Sequence, residues 1–505
     1  MEKIAIIDLG SNSARLVLVN VLDGGYFYVY DELKETVRLA QDFTKDGELN
    51  SIRVEQTIMT LKMFRDLCVS NNVDKIYPFA TAAVRRAKNQ KSFLEEVYFN
   101  CGFKLKVLDH DEECNLVYRG VINSIDVPKG LIMDIGGGST QLILYNRRNI
   151  IGYKTLPYGA VNLTEMFKND LLKPEERAKQ IEDFIFKEIS KIDFIANNDF
   201  QDTALIGVGG SYRNLGKIIR KMDHYPLDMT HNFEASKNSF YAIYNFIKKL
   251  ELDKTMKIKG LSSVRADIFP SALAAMAAVF KKCDFEKVII SGSGLREGAM
   301  FAHAVPSTKD KPIPDVLGHS IYTILNKFGE NIEHSEQVFE LSRQLFDQLK
   351  VLHKLQKPYL KILRTAAMLH DIGNRVNYYD HHKHSMYIIL NSRINGLTHR
   401  EVIMAAFVAG LHRKDEIPAQ EFEKYKDVIS REDVDTIMKL GVLLRIAESL
   451  DRSMSSDIKT IQLDVLGDSV IMKTESEKDC TLEIKDALKA TDAFKKAYKK
   501  NLQIL

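Results

Sequence analysis

Few cysteines, little net charge and no long apolar run mark this sequence, and each shortage removes a class of protein. The five cysteines, Cys68, Cys101, Cys114, Cys283 and Cys480, are odd in number, far apart and form no Cys-x-x-Cys pair. That pattern predicts reduced, mostly buried thiols in a cytoplasmic protein rather than a disulfide framework. A formal charge of +3 over 505 residues does not announce a nucleic-acid binder. Basic pairs such as Arg85-Arg86, Arg147-Arg148, Lys248-Lys249 and Lys495-Lys496 are scattered as on a solvated surface, which still leaves room for a polyanionic substrate. No apolar run nears membrane-spanning length, and Ile4-Ala5-Ile6-Ile7 meets Asp8 at once, so neither a membrane span nor a signal peptide is expected.

What is present is a folded profile, 45% hydrophobic and 28% charged, in a chain long enough for three or four domains. Its most informative feature is an internal repeat at an offset of 126 residues. Ile4 to Val19 reads as strand, turn and strand, and Leu131 to Tyr145 repeats it. Asp134, Gly136, Ser139, Leu142 and Leu144 fall where Asp8, Gly10, Ser13, Leu16 and Leu18 fall in the first copy. Two like α/β domains are therefore predicted, over residues 1–125 and 126–305. Supporting elements are a helix through Val54, Ile58, Leu61, Phe64 and Leu67, a strand over Lys75 to Ala80, and an amphipathic helix after Pro174.

From Pro306 to Pro314 a proline-rich stretch reads as a linker. Helical periodicity then dominates, predicting an all-α domain over 312–455. A small α+β domain over 456–505 follows, with strands over Ile458 to Val465 and Ser469 to Lys473 and a helix from Ala487.

Gly-Ser turns placed directly after buried strands let backbone N–H groups face an anion with no Cβ in the way. Gly10, Ser11, Asn12 and Ser13 form one candidate phosphate cradle, Gly136, Gly137, Gly138 and Ser139 its twin, and Gly209, Gly210 and Ser211 a third contact. A single such turn is as easily a hairpin. Asp8 and Asp134 lead the two loops, and carboxylates beside phosphate call for a hard cation such as Mg²⁺ between them.

The twin loops resemble the superfamily of actin, sugar kinases and heat-shock chaperone ATPases. Within it, Thr81-Ala82-Ala83-Val84-Arg85, Asp111-Glu112-Glu113, Gly207 to Ser211 and Ser291 to Gly298 follow the order of exopolyphosphatases and guanosine pentaphosphate phosphohydrolases. That resemblance implies an actin-like (ribonuclease H-like) duplicated fold. It implies Glu113 as the base that aims water and Arg85 as a phosphate-pairing guanidinium, whose alternative is a structural salt bridge. Arg296 is divided between substrate and pairing near Glu297. Two positions depart from the family pattern, Gln141 in place of a glutamate after the second loop and Asn115 in place of an arginine.

In the helical domain, His334, His370, Asp371 and Asp451 resemble the metal scaffold of HD-type phosphohydrolases, which implies a second divalent metal there, with His384 and His412 as added ligands. His384, His412, Arg413 and Lys414 are alternatively a polyphosphate channel. The first expectation for function is a Mg²⁺-dependent exopolyphosphatase releasing orthophosphate from linear polyphosphate. The alternatives are a guanosine pentaphosphate 5′-phosphohydrolase and a non-catalytic alarmone or polyphosphate sensor. Family resemblance also implies a homodimer, with no nucleic-acid or membrane partner.

Overall fold

Strands β1 (Glu2–Leu9) and β2 (Ala14–Val21) are almost wholly apolar because they lie inside a sheet covered on both faces. With β3 (Phe27–Glu35), β4 (Lys75–Ala80) and β5 (Lys106–Val107) they form a sheet of order β3-β2-β1-β4-β5. The second copy repeats this plan. Strands β6 (Lys129–Ile135), β7 (Thr140–Asn146), β8 (Asn149–Leu156), β9 (Ala204–Val208), β10 (Phe233–Ser236) and β11 (Lys287–Ile290) have the order β10-β11-β9-β6-β7-β8. In both sheets the central strand pairs antiparallel with the next and parallel with the strand reached by crossover, as β1 does with β2 and β4, and β6 with β7 and β9. The fold is thus the duplicated actin-like architecture.

This computed structural model describes all residues except 42, 45, 170, 306–310 and 415. It divides into two compact units, Met1–Pro314 and Asp315–Leu505. Of the expected linker, 306–310 lie outside the described residues. No helix among the described residues is long and apolar enough to cross a membrane, and all five cysteines are buried and free.

Within the first unit, packing crosses the sequence boundary between the two copies. The helix His110–Ile122 follows the first sheet in sequence, yet Val117, Val121 and Ile122 join Ile132, Ile143 and Ile206 of the second sheet in one core. Conversely, the helix Leu295–Ala304 follows the second sheet, and its Ala299, Met300 and Phe301 pack on Ile4, Ile6 and Val17 of the first. The two helices meet backbone to backbone. A Cβ at Gly298 would overlap the carbonyl of Leu116, and one at Gly120 would overlap that of Gly294.

The second unit is all-α from Val316 to Leu450. It ends in the sheet β12 (Thr460–Leu466), β13 (Ser469–Glu475) and β14 (Asn501–Ile504). That sheet is bonded to the helices. On the helix Ile332–Gln348, Gln344 donates to Lys459 O at 3.0 Å and accepts from Ile461 N at 3.0 Å, and Gln348 does the same with Ile461 O (2.8 Å) and Leu463 N (2.9 Å). The glutamine amides satisfy the edge strand as a neighbouring strand would. The helix expected from Ala487 begins instead at Thr481, where Asp479 accepts from the Thr481 N–H, and resumes at Thr491–Tyr498 after a 3-10 turn.

Candidate active site

The two loops fold alike down to their hydrogen bonds. Gly10 N donates to Ser13 O at 3.1 Å, and Gly136 N donates to Ser139 O at 2.9 Å. Their remaining carbonyls are occupied from behind. Ser11 O and Asn12 O accept from Ala40 N and Arg38 N, while Gly136 O and Gly137 O accept from Ala160 N and Val161 N, and Gly138 O accepts from Asn162 Nδ2. With the carbonyls taken, each loop is suited to offer N–H groups to an anion. The loops also touch the same space, since a Cβ at Gly138 would come to 2.9 Å of Ser11 Oγ.

A cleft is lined by both loops and by Asp8, Glu113, Asp134 and Gln141. The third glycine segment enters it at Gly209 and Gly210, where the helix Gly210–Met222 begins and its N-terminus favours negative charge. Gly209 has φ +95° and stands where a Cβ would meet Asp134 Oδ1 at 2.8 Å. Ser211 is not on the cleft wall; it is buried in the first turn of that helix.

Glu113 is set by a capping box. Asp109 accepts from Glu112 N at 2.7 Å while Glu112 accepts from Asp109 N, which starts the helix His110–Ile122 one turn before Glu113 points inward. Its carboxylate is buried, with Oε2 held by Arg85 at 2.9 Å and Oε1 by Gln141 at 2.8 Å. Burial pushes its pKa up and the Arg85 guanidinium opposes the shift. Arg85 is engaged through one nitrogen: the Nη1 that binds Glu113 also donates to Leu108 O at 2.7 Å, so this position carries the salt bridge named as its alternative role. Asn115 lies off the cleft in a surface hollow with Tyr118 and Arg148, so its departure removes no charge from the cleft lining.

Four arginines line the cleft, and sequence reasoning found only Arg296. That one is held by Glu32 at 2.8 Å and faces Glu297 at 3.7 Å. Arg15, Arg213 and Arg265 form no salt bridge among the described residues. Burial and mutual repulsion lower Arg15 to about 10, with Arg213 the largest repulsive neighbour, and lower Arg265 to about 10 beside Arg15. Arg213 is lowered by burial and by Arg296. A legible signal existed for one of them, because Arg15 pairs with Asp8 in register as Gln141 pairs with Asp134.

The acids are crowded too. Burial raises Asp8 against the pull of Arg296 and Arg15. It raises Asp134 to about 7, helped by the neighbouring Glu113 charge. Buried oxygen donors that raise one another's pKa are the donor set a hard divalent cation relieves, so the residues present fit Mg²⁺.

In the helical unit, His334, His370 and Asp371 come together as expected, but the other assignments change. Asp451 Oδ2 meets His334 Nδ1 at 2.7 Å and its Oδ1 accepts from Ser456 N at 2.7 Å, so both oxygens are occupied and Asp451 reaches the cluster only through His334. His381, not His384, joins it, because the helix His381–Asn391 starts there and anchors His381 Nδ1 to Tyr378 O. His384 is only half-buried. His412 is fully buried in the same cluster rather than on a channel wall, Arg413 lies 3.5 Å from Glu448, and Lys414 is exposed.

Comparison with known proteins places this geometry. The family model for the Ppx/GppA phosphatase family matches residues 17–305, and that for Ppx/GppA phosphatase, domain III matches 317–496. A guanosine-5′-triphosphate,3′-diphosphate pyrophosphatase of Aeromonas hydrophila is 27% identical over 452 residues, 88% of this chain and 86% of its own. One from Pseudoalteromonas atlantica is 29% identical over 407 residues, 79% and 77% of the two chains. The crystal structure of the Aquifex aeolicus member of the Ppx/GppA family superposes with a TM-score of 0.53 at 27% identity, over 61% of this chain and 98% of that one. The twin loops, the Glu113 cleft and the helical second unit thus belong together, and the chain is a member of the Ppx/GppA phosphatase family.

Proposed function

We propose that this protein removes the terminal 5′ phosphate of guanosine pentaphosphate by hydrolysis. The carrying observation is Glu113, a buried carboxylate held from both sides by Arg85 and Gln141 at the edge of a cleft built from two phosphate-type loops. The activity named for the two relatives supports this substrate over the polymer weighed first from sequence.

In this reading, water attacks the terminal phosphorus while Glu113 orients it and takes its proton. The bridging P–O bond breaks toward the penultimate phosphate, and orthophosphate leaves. Phosphoryl transfer needs positioning and charge neutralisation more than covalent help. Arg15, Arg213 and Arg265 supply unpaired guanidinium charge for that purpose, as the loop amides supply N–H groups. Asp8 and Asp134 would hold Mg²⁺, which when bound neutralises phosphate oxygens.

A cleft of glycine, serine, carboxylate and guanidinium groups suits a phosphate chain whatever carries it, so exopolyphosphatase action is the second reading. The test is phosphate release from guanosine pentaphosphate and from long-chain polyphosphate, by wild type and by Glu113→Gln. Faster release from guanosine pentaphosphate, lost in the variant, supports the proposal. Faster release from the polymer moves the assignment to the second reading, and release from neither leaves a binding protein.

A further inference from the structure

A fourth segment lines the cleft, residues 291–294, and it is wired the opposite way from the two glycine loops. In those loops the carbonyls are taken from behind and the N–H groups are offered. Here each N–H is taken. Ser291 N donates to Gly207 O at 2.8 Å, Gly292 N to His231 Nδ1 at 3.1 Å, Ser293 N to Ser291 Oγ at 3.0 Å and Gly294 N to Glu297 Oε2 at 2.8 Å. The carbonyls of Ser291 and Gly292, by contrast, accept from no group among the described residues. A wall with no N–H to give is a poor seat for phosphate and a good one for hydrogen-bond donors.

His231 sets the Gly292 amide. It is buried and stands outside the cleft lining, and a Cβ at Gly292 would come to 3.0 Å of its own Cβ, so glycine lets the ring sit this close. A backbone N–H only donates, so Nδ1 is the bare nitrogen of the ring. Its Nε2 stands 3.2 Å from Ser124 O, which only accepts, so the proton is there. The ring is a neutral bridge from the cleft wall to Ser124, just past the end of the helix that carries Glu113. Across a planar trans peptide the C=O points opposite to the N–H, so holding Gly292 N–H turns the Ser291 carbonyl away from the ring.

From this wiring we infer that residues 291–294 form an acceptor wall that binds O–H groups beside the phosphate chain, and that His231 is the positioning residue that makes it so. The O–H comes from the sugar that carries the chain or from water on the bound cation. Without Nδ1, the Gly292 peptide is free to turn over and present N–H where an acceptor stood. The inference rests on the reading of the cleft as the site for guanosine pentaphosphate.

The test is calorimetric titration of the full chain with guanosine pentaphosphate and with inorganic tripolyphosphate, in Mg²⁺, on a Glu113→Gln background that prevents turnover. His231→Asn keeps an acceptor near the Nδ1 position, whereas His231→Gln keeps a donor near Nε2 and leaves Gly292 N–H unheld. His231→Gln is expected to weaken guanosine pentaphosphate binding about tenfold, as for the loss of one or two neutral hydrogen bonds, and His231→Asn to keep most of the affinity. Tripolyphosphate affinity unchanged by His231→Gln assigns the O–H to the sugar, and a matching loss assigns it to cation-bound water. Equal affinity in the parent and both variants, or an equal loss in both variants, overturns the inference. A parent that binds neither ligand refutes the cleft reading instead. If His231→Gln does not fold, hydrogen exchange of the unsubstituted chain decides: amides 292–294 should exchange slowly without ligand, and those of the two glycine loops should slow only when tripolyphosphate is added. Fast exchange at 292–294 overturns the inference.

Discussion

Gln141 donates its side-chain amide to Glu113 Oε1 at 2.8 Å and to Ser139 Oγ at 3.1 Å, tying the proposed base directly to the second loop. A glutamate at 141, the residue implied there by the family resemblance, would face Glu113 with a second negative charge. Gln141→Glu is therefore expected to lower the melting temperature in chelator and to restore it with added Mg²⁺ by more than wild type gains. Losing a buried donor to a carboxylate costs about 1–3 kcal/mol. Equal melting curves in chelator would show that the amide contributes nothing to holding Glu113.

Asp134 gives a pH signature. Its folded pKa of about 7 lies above the ordinary 3.8, so the metal-free native state keeps a proton that the unfolded chain releases. The contribution to stability is full below pH 4 and lost as pH rises through 7. Metal-free wild type should lose stability between pH 4 and 7 relative to Asp134→Asn, measured as the difference of the two denaturation midpoints across that range. A constant difference would be incompatible with a raised Asp134.

Arg213 lies in the cleft with its charge unpaired among the described residues, so removing it relieves repulsion in the free protein and removes attraction for phosphate. Arg213→Gln should leave the melting temperature unchanged or higher while raising KM by roughly tenfold to a hundredfold, since charge-assisted bonds contribute about 1.5–3 kcal/mol. A lower melting temperature with unchanged KM would assign it a structural role.

Gly209→Ala combines two penalties, a positive φ and a Cβ at 2.8 Å from Asp134 Oδ1 and 2.9 Å from Ile135 O. The expected outcome is a folded protein destabilised by at least about 1 kcal/mol and with phosphate release sharply reduced, since the only relief is to shift the Asp134 carboxylate or the loop. Full activity would show that neither moves.

The actin-like halves were legible because the sequence repeats itself: Asp8 and Asp134, Gly10 and Gly136, Ser13 and Ser139 carry one plan twice, and a strand buried on both faces cannot disguise its composition. Glu113 was legible only through a resemblance, since by itself it is one acid among three. Arg15 could have been found from its register with Asp8, but Arg213 and Arg265 were hidden because each comes from a different element, and only tertiary packing brings them together. The exchange of helices 110–122 and 295–304 between sheets was likewise invisible, because periodicity states that a helix has an apolar face and not which sheet receives it. In the segment from His381 to His384, which imidazole joins the buried cluster depends on where the helix begins, a boundary set by backbone geometry.

The glycine contact between those exchanged helices has a mechanical consequence. With no side chain at Gly120 or Gly298 to act as a cushion, the helix that carries Glu113 and the helix that carries Arg296 lie backbone against backbone. A methyl group at either glycine would act as a wedge, forcing the helices apart and shifting Glu113 against its partners Arg85 and Gln141, so two residues that touch no substrate group set the spacing of the cleft walls.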